Sequence, residues 1–265
     1  MAARCQRAYD SDTRGDPDFP WLEVGEEFCF PDPEEARGSV VAVGGNLSPG
    51  MMISAYSQGI FPWFNDDDPL YWQSPDPRFV ILPETFHVPS RLSRTVKQGS
   101  FSIRVDTSFE RVINFCSGVS RNGQVGTWIT EDMIEAYIAL HREGLAHSVE
   151  AWQGGHLVGG LYGLTLGPVF FGESMFTRVP DAAKVAFVAF ARHFFSRMGG
   201  AMIDSQVYTD HIARFGGVNI SRSAYLRKLS DCLSGSSIAD LVSRRGLWRP
   251  ALLSEMAQAP GGVNL

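Results

Sequence analysis

The chain is 265 residues long, 44% hydrophobic and formally −6 in charge, which suits one large globular core or two smaller ones at the usual ~100 to 200 residues per domain. It has no run of about eighteen uncharged apolar residues, and it opens with Arg4, Arg7, Asp10, Asp12, Arg14, Asp16 and Asp18 where an apolar leader would stand, so neither membrane insertion nor export is expected. Cys5, Cys29, Cys116 and Cys232 lie far apart with no CxxC pair, which reads as free thiols in a reducing cytoplasm with no metal site, and the acidic balance means that any phosphate-bearing partner must be met by locally gathered Lys and Arg.

In chain order, residues 1 to 37 are charged and proline-rich and read as a variable leading segment. Residues 38 to 83 form a candidate small α+β domain: a Gly44-Gly45 turn, a helix opened by Ser48-Pro49 and ending near Gln58, then the aromatic run Gly59-Ile60-Phe61-Pro62-Trp63-Phe64. A larger unit is expected over 84 to 230, followed by a tail over 231 to 265. It begins with a strand at 101 to 105 and a helix from Thr107, where Glu110 completes a capping box. A helix over 131 to 143 follows, with Thr130 as its N-cap and Gly144 beyond its end. Strands at 147 to 152, 156 to 164 and 168 to 173 come next, the first two joined at Gly154-Gly155. Then come a helix over 181 to 197, a strand over 201 to 207, a short helix at 210 to 215 and a helix capped by Ser221. This order is that of an α+β acyltransferase fold of the GNAT type, and a fold by itself does not assign a function.

Two segments carry candidate chemistry. In Ile203-Asp204-Ser205-Gln206, strand alternation would send Asp204 and Gln206 to one side and Ser205 to the other. A carboxylate inside an apolar strand needs a partner, and a purely structural role, capping a helix or pairing with Arg214, is the competing reading. Gly172-Glu173-Ser174-Met175-Phe176 sets a carboxylate and a hydroxyl beside two large apolar side chains, as a site for an apolar group next to a cation would; a strand end with core Met and Phe is the plainer reading.

The pieces GGNLSP, GIFPWF, WQSPDPR, TWIT, AYIALH, GLAHSVE, LVGGLYG, GESMF, IDSQ and SRSAYL, in this order between residues 38 and 230, resemble the signature of the leucyl/phenylalanyl-tRNA-protein transferase family. The resemblance implies a small N-terminal domain packed on a GNAT-like catalytic domain. The implied reaction is attack by the α-amine of an N-terminal Lys or Arg on the ester of leucyl- or phenylalanyl-tRNA, with methionyl-tRNA as a third candidate donor and no cofactor. It assigns Asp204 and Gln206 as the catalytic pair, the Gln206 amide oxygen accepting a hydrogen bond from the amine while Asp204 orients and polarises the amide. Substrate binding would fall to Glu173, Ser174, Met175, Phe176, Trp63, Trp128 and Thr209. A cytoplasmic monomer that marks proteins for degradation is the implied setting.

The chain departs from the family pattern at Ser205, where a Cys is usual, and at Gln73, Ala183 and Thr209. Two basic runs are candidates for tRNA phosphate contact: Arg91, Arg94 and Lys97, and Arg222, Arg227 and Lys228. Two other enzyme classes compete. Gly172-x-Ser174 with a later Asp and His211 resembles half of a serine-hydrolase elbow, although Phe176 stands where its last Gly belongs. An acyl-CoA N-acyltransferase would share the fold, but the stretch before the helix at 181, ESMFTRVPDAAK, lacks the glycine-rich pyrophosphate turn.

Overall fold

In the computed structural model, which describes residues 19–65, 67–118, 129–234 and 236–243, two antiparallel-based sheets share one continuous apolar layer. The small sheet has strand order β1-β3-β2, from β1 (Val40–Val43), β2 (Phe61–Pro62) and β3 (Tyr71–Gln73). Helix α1 (Pro49–Ser57) starts at a proline, whose missing N–H costs nothing in a first turn. It is buried from Pro49 to Tyr56, as expected of a helix with no polar stripe. Its Ser48 and Ser54 hydroxyls accept from the N–H groups of Leu22 and Phe28, which fastens the leading segment over the helix.

The large sheet holds β4 (Arg78–Ile81), β5 (Ser102–Val105), β6 (Ala146–Gln153), β7 (His156–Leu166), β8 (Val169–Thr177), β9 (Met202–Asp204) and β10 (Val218–Ile220), in the order β10-β4-β9-β8-β7-β6-β5. Every neighbouring pair is antiparallel except β8 with β9, which run parallel. Helices α2 (Ser90–Lys97), α5 (Ala182–Arg197) and α6 (Asp210–Ala213) bury Leu92, Phe187, Phe190, Phe194 and Ile212 on one face. On the other face α1, α3 (Phe109–Ser117), α4 (Glu131–Arg142), α7 (Arg222–Leu233) and α8 (Ile238–Ser243) pack with the small sheet. The molecule is α+β, and the element order from β5 to α6 is the one expected from the sequence.

Several local expectations are corrected. β4 precedes the boundary expected at residue 83 yet sits between β10 and β9 in the large sheet, and α7 continues past residue 230. Helix α3 has Ser108 as its N-cap and no capping box. Its start is held from outside: the buried Glu150 carboxylate on β6 accepts from the N–H groups of Thr107 and Ser108, at 2.9 and 2.7 Å, and from the Thr107 hydroxyl. A carboxylate sunk in the sheet requires such donors, and a local motif could not reveal one lying across the sheet. α4 does use Thr130, whose Oγ1 accepts from Met133 N, and Ser221 caps α7 through Ala224 N. Cys116 and Cys232 are free thiols, whereas Cys29, at an exposed position, is disulfide-bonded, contrary to expectation.

Candidate active site

The parallel pairing of β8 with β9 lasts only from Val169 with Met202 to Phe171 with Asp204. β9 ends there while β8 continues to Thr177, so the two strands part. A cavity of about 740 Å³ opens in the gap, with walls from Glu173 to Thr177, from Ser205 to Val207, from Trp63 at the end of β2, and from Lys184 and Phe187 on α5.

Glu173 enters this gap because it is the extra residue of a β-bulge. Tyr162 on β7 faces Ser174 and the next residue, Gly163, faces Gly172, leaving Glu173 unpaired in the ladder. Bulges re-aim side chains in this way beside functional sites. Gly163 permits the distortion: a Cβ there would lie 2.2 Å from the Phe171 carbonyl oxygen.

The Tyr56 hydroxyl donates to Glu173 Oε1 at 2.7 Å, and the Tyr137 hydroxyl lies 2.5 Å from that of Tyr56. Burial pushes the Glu173 carboxyl up to about 7; the Tyr56 and Tyr137 hydroxyls act against this, the Asp204 charge adds to it and Arg78 opposes it. Both tyrosines are raised well above their ordinary values, chiefly by burial, and stay protonated.

Gln206 is 7% exposed and lies beyond the strand in a left-handed conformation, φ 55°. Its amide is satisfied when the nitrogen donates to the carbonyls of Ser205 and Gly172, at 3.1 and 3.0 Å, an assignment made from the hydrogen-bond pattern. In the opposite orientation the nitrogen would donate to Glu173 Oε1 at a long 3.5 Å; with the amide turned to satisfy the two carbonyls, the oxygen takes the side toward Glu173. A hydrogen-bond acceptor and a carboxyl poised near neutrality thus stand side by side at the cavity wall.

Asp204 is somewhere else. It is fully buried and does not line the cavity. Arg78 Nε donates to it at 2.9 Å and Nη2 at 2.6 Å, the Tyr225 hydroxyl at 2.8 Å and the Gln206 backbone N–H at 2.9 Å. Arg78 lies between the Phe61 and Tyr225 rings and also donates to the Gly59 carbonyl. Burial opposes the guanidinium charge, and the Asp204 carboxylate more than restores it, holding Arg78 above its ordinary value.

The expected projection of Asp204 and Gln206 to one side by strand alternation is therefore corrected, because the strand stops at 204. Ser205 lines the cavity instead of facing away, and Asp204 pairs with Arg78 rather than Arg214. It reaches Gln206 through the backbone N–H, so it fixes the turn that presents the amide and does not touch the side-chain amide.

The other expected residues divide. Ser174, Met175 and Phe176 all line the cavity, Met175 packing toward the α5 face and Phe176 toward the opposite one. Trp63, 37% exposed and stacked on Phe61, stands at the rim. Thr209 lines the cavity and caps α6, its Oγ1 accepting from Ile212 N. Trp128 lies outside the described residues. Arg91, Arg94 and Lys97 are exposed on α2, Arg227 is exposed and Lys228 half-buried. Arg222 is corrected: it is 8% exposed and donates to the carbonyls of Gly38, Ser74 and Ala36, tying α7 to the small domain and the end of the leading segment, which leaves it unsuited to a phosphate. Tyr56, Tyr137, Tyr225 and Arg78 had not been singled out. Arg78 ends the quoted WQSPDPR, the one signal that pointed to it.

Family models match in two adjoining stretches: leucyl/phenylalanyl-tRNA protein transferase N-terminal domain over residues 45–76, and leucyl/phenylalanyl-tRNA protein transferase over residues 80–230. A leucyl/phenylalanyl-tRNA–protein transferase from Myxococcus xanthus is 52% identical over 220 residues, 83% of this chain and 91% of its own. One from Anaeromyxobacter dehalogenans 2CP-C is 46% identical over 87% of this chain and 97% of its own, and one from Solidesulfovibrio magneticus is 50% identical over 80% and 85%. With the family model spanning more than half of its length and relatives at this identity, the chain belongs to the leucyl/phenylalanyl-tRNA–protein transferase family.

Proposed function

We propose that the protein moves Leu or Phe, with Met as a third candidate, from aminoacyl-tRNA to the α-amine of proteins that begin with Lys or Arg. The observation that carries the proposal, beside family membership, is the pairing of Gln206 and Glu173 at the wall of a cavity opened by the parting of β8 and β9. The aminoacyl ester enters this gap with its side chain against Met175, Phe176 and Phe187. A free α-amine titrates near ~7.7 to 8.0 and must be neutral to attack. Its remaining N–H hydrogen-bonds to the Gln206 oxygen as the N–C bond forms and the ester C–O bond breaks. The ribose oxygen leaves as a hydroxyl with one of the amine protons. Glu173, near neutrality, receives the substrate ammonium when ionised or donates to the Gln206 oxygen when protonated. A positioned acid–base group typically contributes ~10² to 10⁴ in rate.

The start of α5 speaks against an acyl-CoA donor. A pyrophosphate there needs free N–H groups, yet Ala182 N donates to the Val179 carbonyl and Ala183 N to Thr177 Oγ1. The Asp181 carboxylate, paired with Lys184 at 2.8 Å, occupies the same place. A serine-hydrolase relay is disfavoured by His211, whose Nε2 has no hydrogen-bond partner among the described residues, Ser174 included, and whose ring packs against Phe215.

Exposed Arg91, Arg94 and Lys97 on α2, with Arg227 and Lys228, are assigned to tRNA phosphates. Among the described residues no helix is long and apolar enough to cross a membrane; a monomer working in the cytoplasm, marking its products for degradation, completes the proposal. Labelled Phe-tRNA should tag a peptide beginning with Arg and leave an acetylated or acidic one untouched. Equal tagging of all three would remove the acceptor assignment.

A further inference from the structure

Three exposed arginines from separate parts of the chain meet on the α3 face of the large sheet: Arg104 on β5, Arg111 on α3 and Arg178 just beyond β8. Two aromatic rings set them in a row. Arg178 Cζ lies 3.7 Å from the centroid of Phe115. Arg111 Cζ lies 5.9 Å from the same ring and 5.5 Å from that of Trp152, and Arg104 Cζ lies 4.6 Å from Trp152. Cations and rings therefore alternate as Arg178, Phe115, Arg111, Trp152, Arg104. The rings are fixed from beneath: Trp152 is 8% exposed and its Nε1 donates to the buried Glu150, and Phe115 packs on Phe176 with centroids 5.0 Å apart. Because Phe176 and Thr177 line the cavity, the row begins at the rim and runs outward to β5, the last strand of the sheet.

A guanidinium resting on a ring is held without burial and keeps its N–H edge for a forked contact with phosphate. In a chain of net charge −6, such a row is a local cationic track. It is separate from the basic run on α2, which packs with α5 on the opposite face.

We propose that this row guides the phosphodiester backbone of the donor RNA immediately behind its aminoacylated 3′ end. The proposal rests on the donor being an aminoacyl-tRNA. The acceptor protein, with its basic N-terminal residue, is repelled by the same charges, which favours RNA as the occupant.

The test compares wild type with the combined Arg104→Gln, Arg111→Gln and Arg178→Gln variant, using Phe-tRNA and 3′-phenylalanyl-adenosine, which has the ester but no phosphate, as donors to one Arg-initiated peptide. For the variant, the KM for Phe-tRNA should rise at least about tenfold at low salt. Loss of three phosphate contacts should also make the fall of kcat/KM with salt shallower by about 2 to 3 in logarithmic slope. Transfer from phenylalanyl-adenosine should be unchanged, and the corresponding triple Lys variant should recover part of the tRNA effect. An unchanged KM and salt slope for Phe-tRNA would overturn the proposal. So would equal losses with both donors, which would place the arginines in cavity chemistry, or an effect confined to the peptide KM, which would give the row to the acceptor. Absence of transfer by wild type from either donor would instead remove the functional reading, and the track with it.

Discussion

The two sides of the turn at Ser205 are built on opposite principles. On the buried side, Asp204, Arg78 and Tyr225 form a closed knot in which the carboxylate receives bonds from Arg78, Tyr225 and the Gln206 backbone. On the cavity side, Glu173 sits where burial holds its carboxyl at about 7, and the Gln206 amide turns its oxygen toward it. The knot is saturated, while the cavity pair has a proton to lose or gain near neutrality. Stability and chemistry are therefore separated within a segment that reads as one motif, with the Asp204 carboxylate and the Gln206 backbone as the link.

The largest effect should come from cutting the knot. Asp204→Ala leaves a guanidinium buried without its counter-charge, which costs about 3 to 5 kcal/mol; denaturant unfolding should show the loss, with activity falling in step with the folded fraction. A variant of undiminished stability but no activity would return Asp204 to the chemistry. Gln206→Ala should do the reverse: kcat down by about 10², little change in unfolding midpoint, and a nearly constant KM for Phe-tRNA.

Arg222→Ala should cost about 1 to 3 kcal/mol through three carbonyls left unpaired, with tRNA affinity unaltered. Weakened tRNA binding at full stability would contradict the buried position of this side chain.

Glu173 gives the subtlest effect. Its carboxyl is raised from 4.5 to about 7 in the folded protein, so the folded state holds a proton that the unfolded chain has released between those values. The stability this contributes is complete below about 4.5 and is lost as pH rises through about 7. Unfolding free energy should decline over that window in wild type, and Glu173→Gln should flatten the decline. An unchanged pH profile in the variant would mean that the raised carboxyl lies elsewhere.

How much of this was legible follows from the range of each interaction. Elements ruled by local chemistry were readable: Thr130 caps α4 and Ser221 caps α7, and α5 shows its apolar surface at helical spacing. α3 was misread at its start because the acceptor is Glu150, 43 residues from Thr107. In the site, GESMF was recognisable as a string, but the bulge that turns Glu173 inward depends on its register against β7. The role of Asp204 was hidden because Arg78 lies 126 residues away and Tyr225 lies 21.

The sequence by itself determined the order of helices and strands from β5 to α6, the absence of a long apolar run, and the family signature from GGNLSP to SRSAYL, because these depend on spacing and local preference. Only the tertiary structure decided that β8 and β9 part after three residue pairs, that Asp204 builds while Gln206 faces the cavity, that Arg222 is a staple, and that Arg104, Arg111 and Arg178 share one row. Each of those outcomes is set by which distant strands and helices are brought into register, and a buried charge or a stacked guanidinium acquires its role from the partner it meets there.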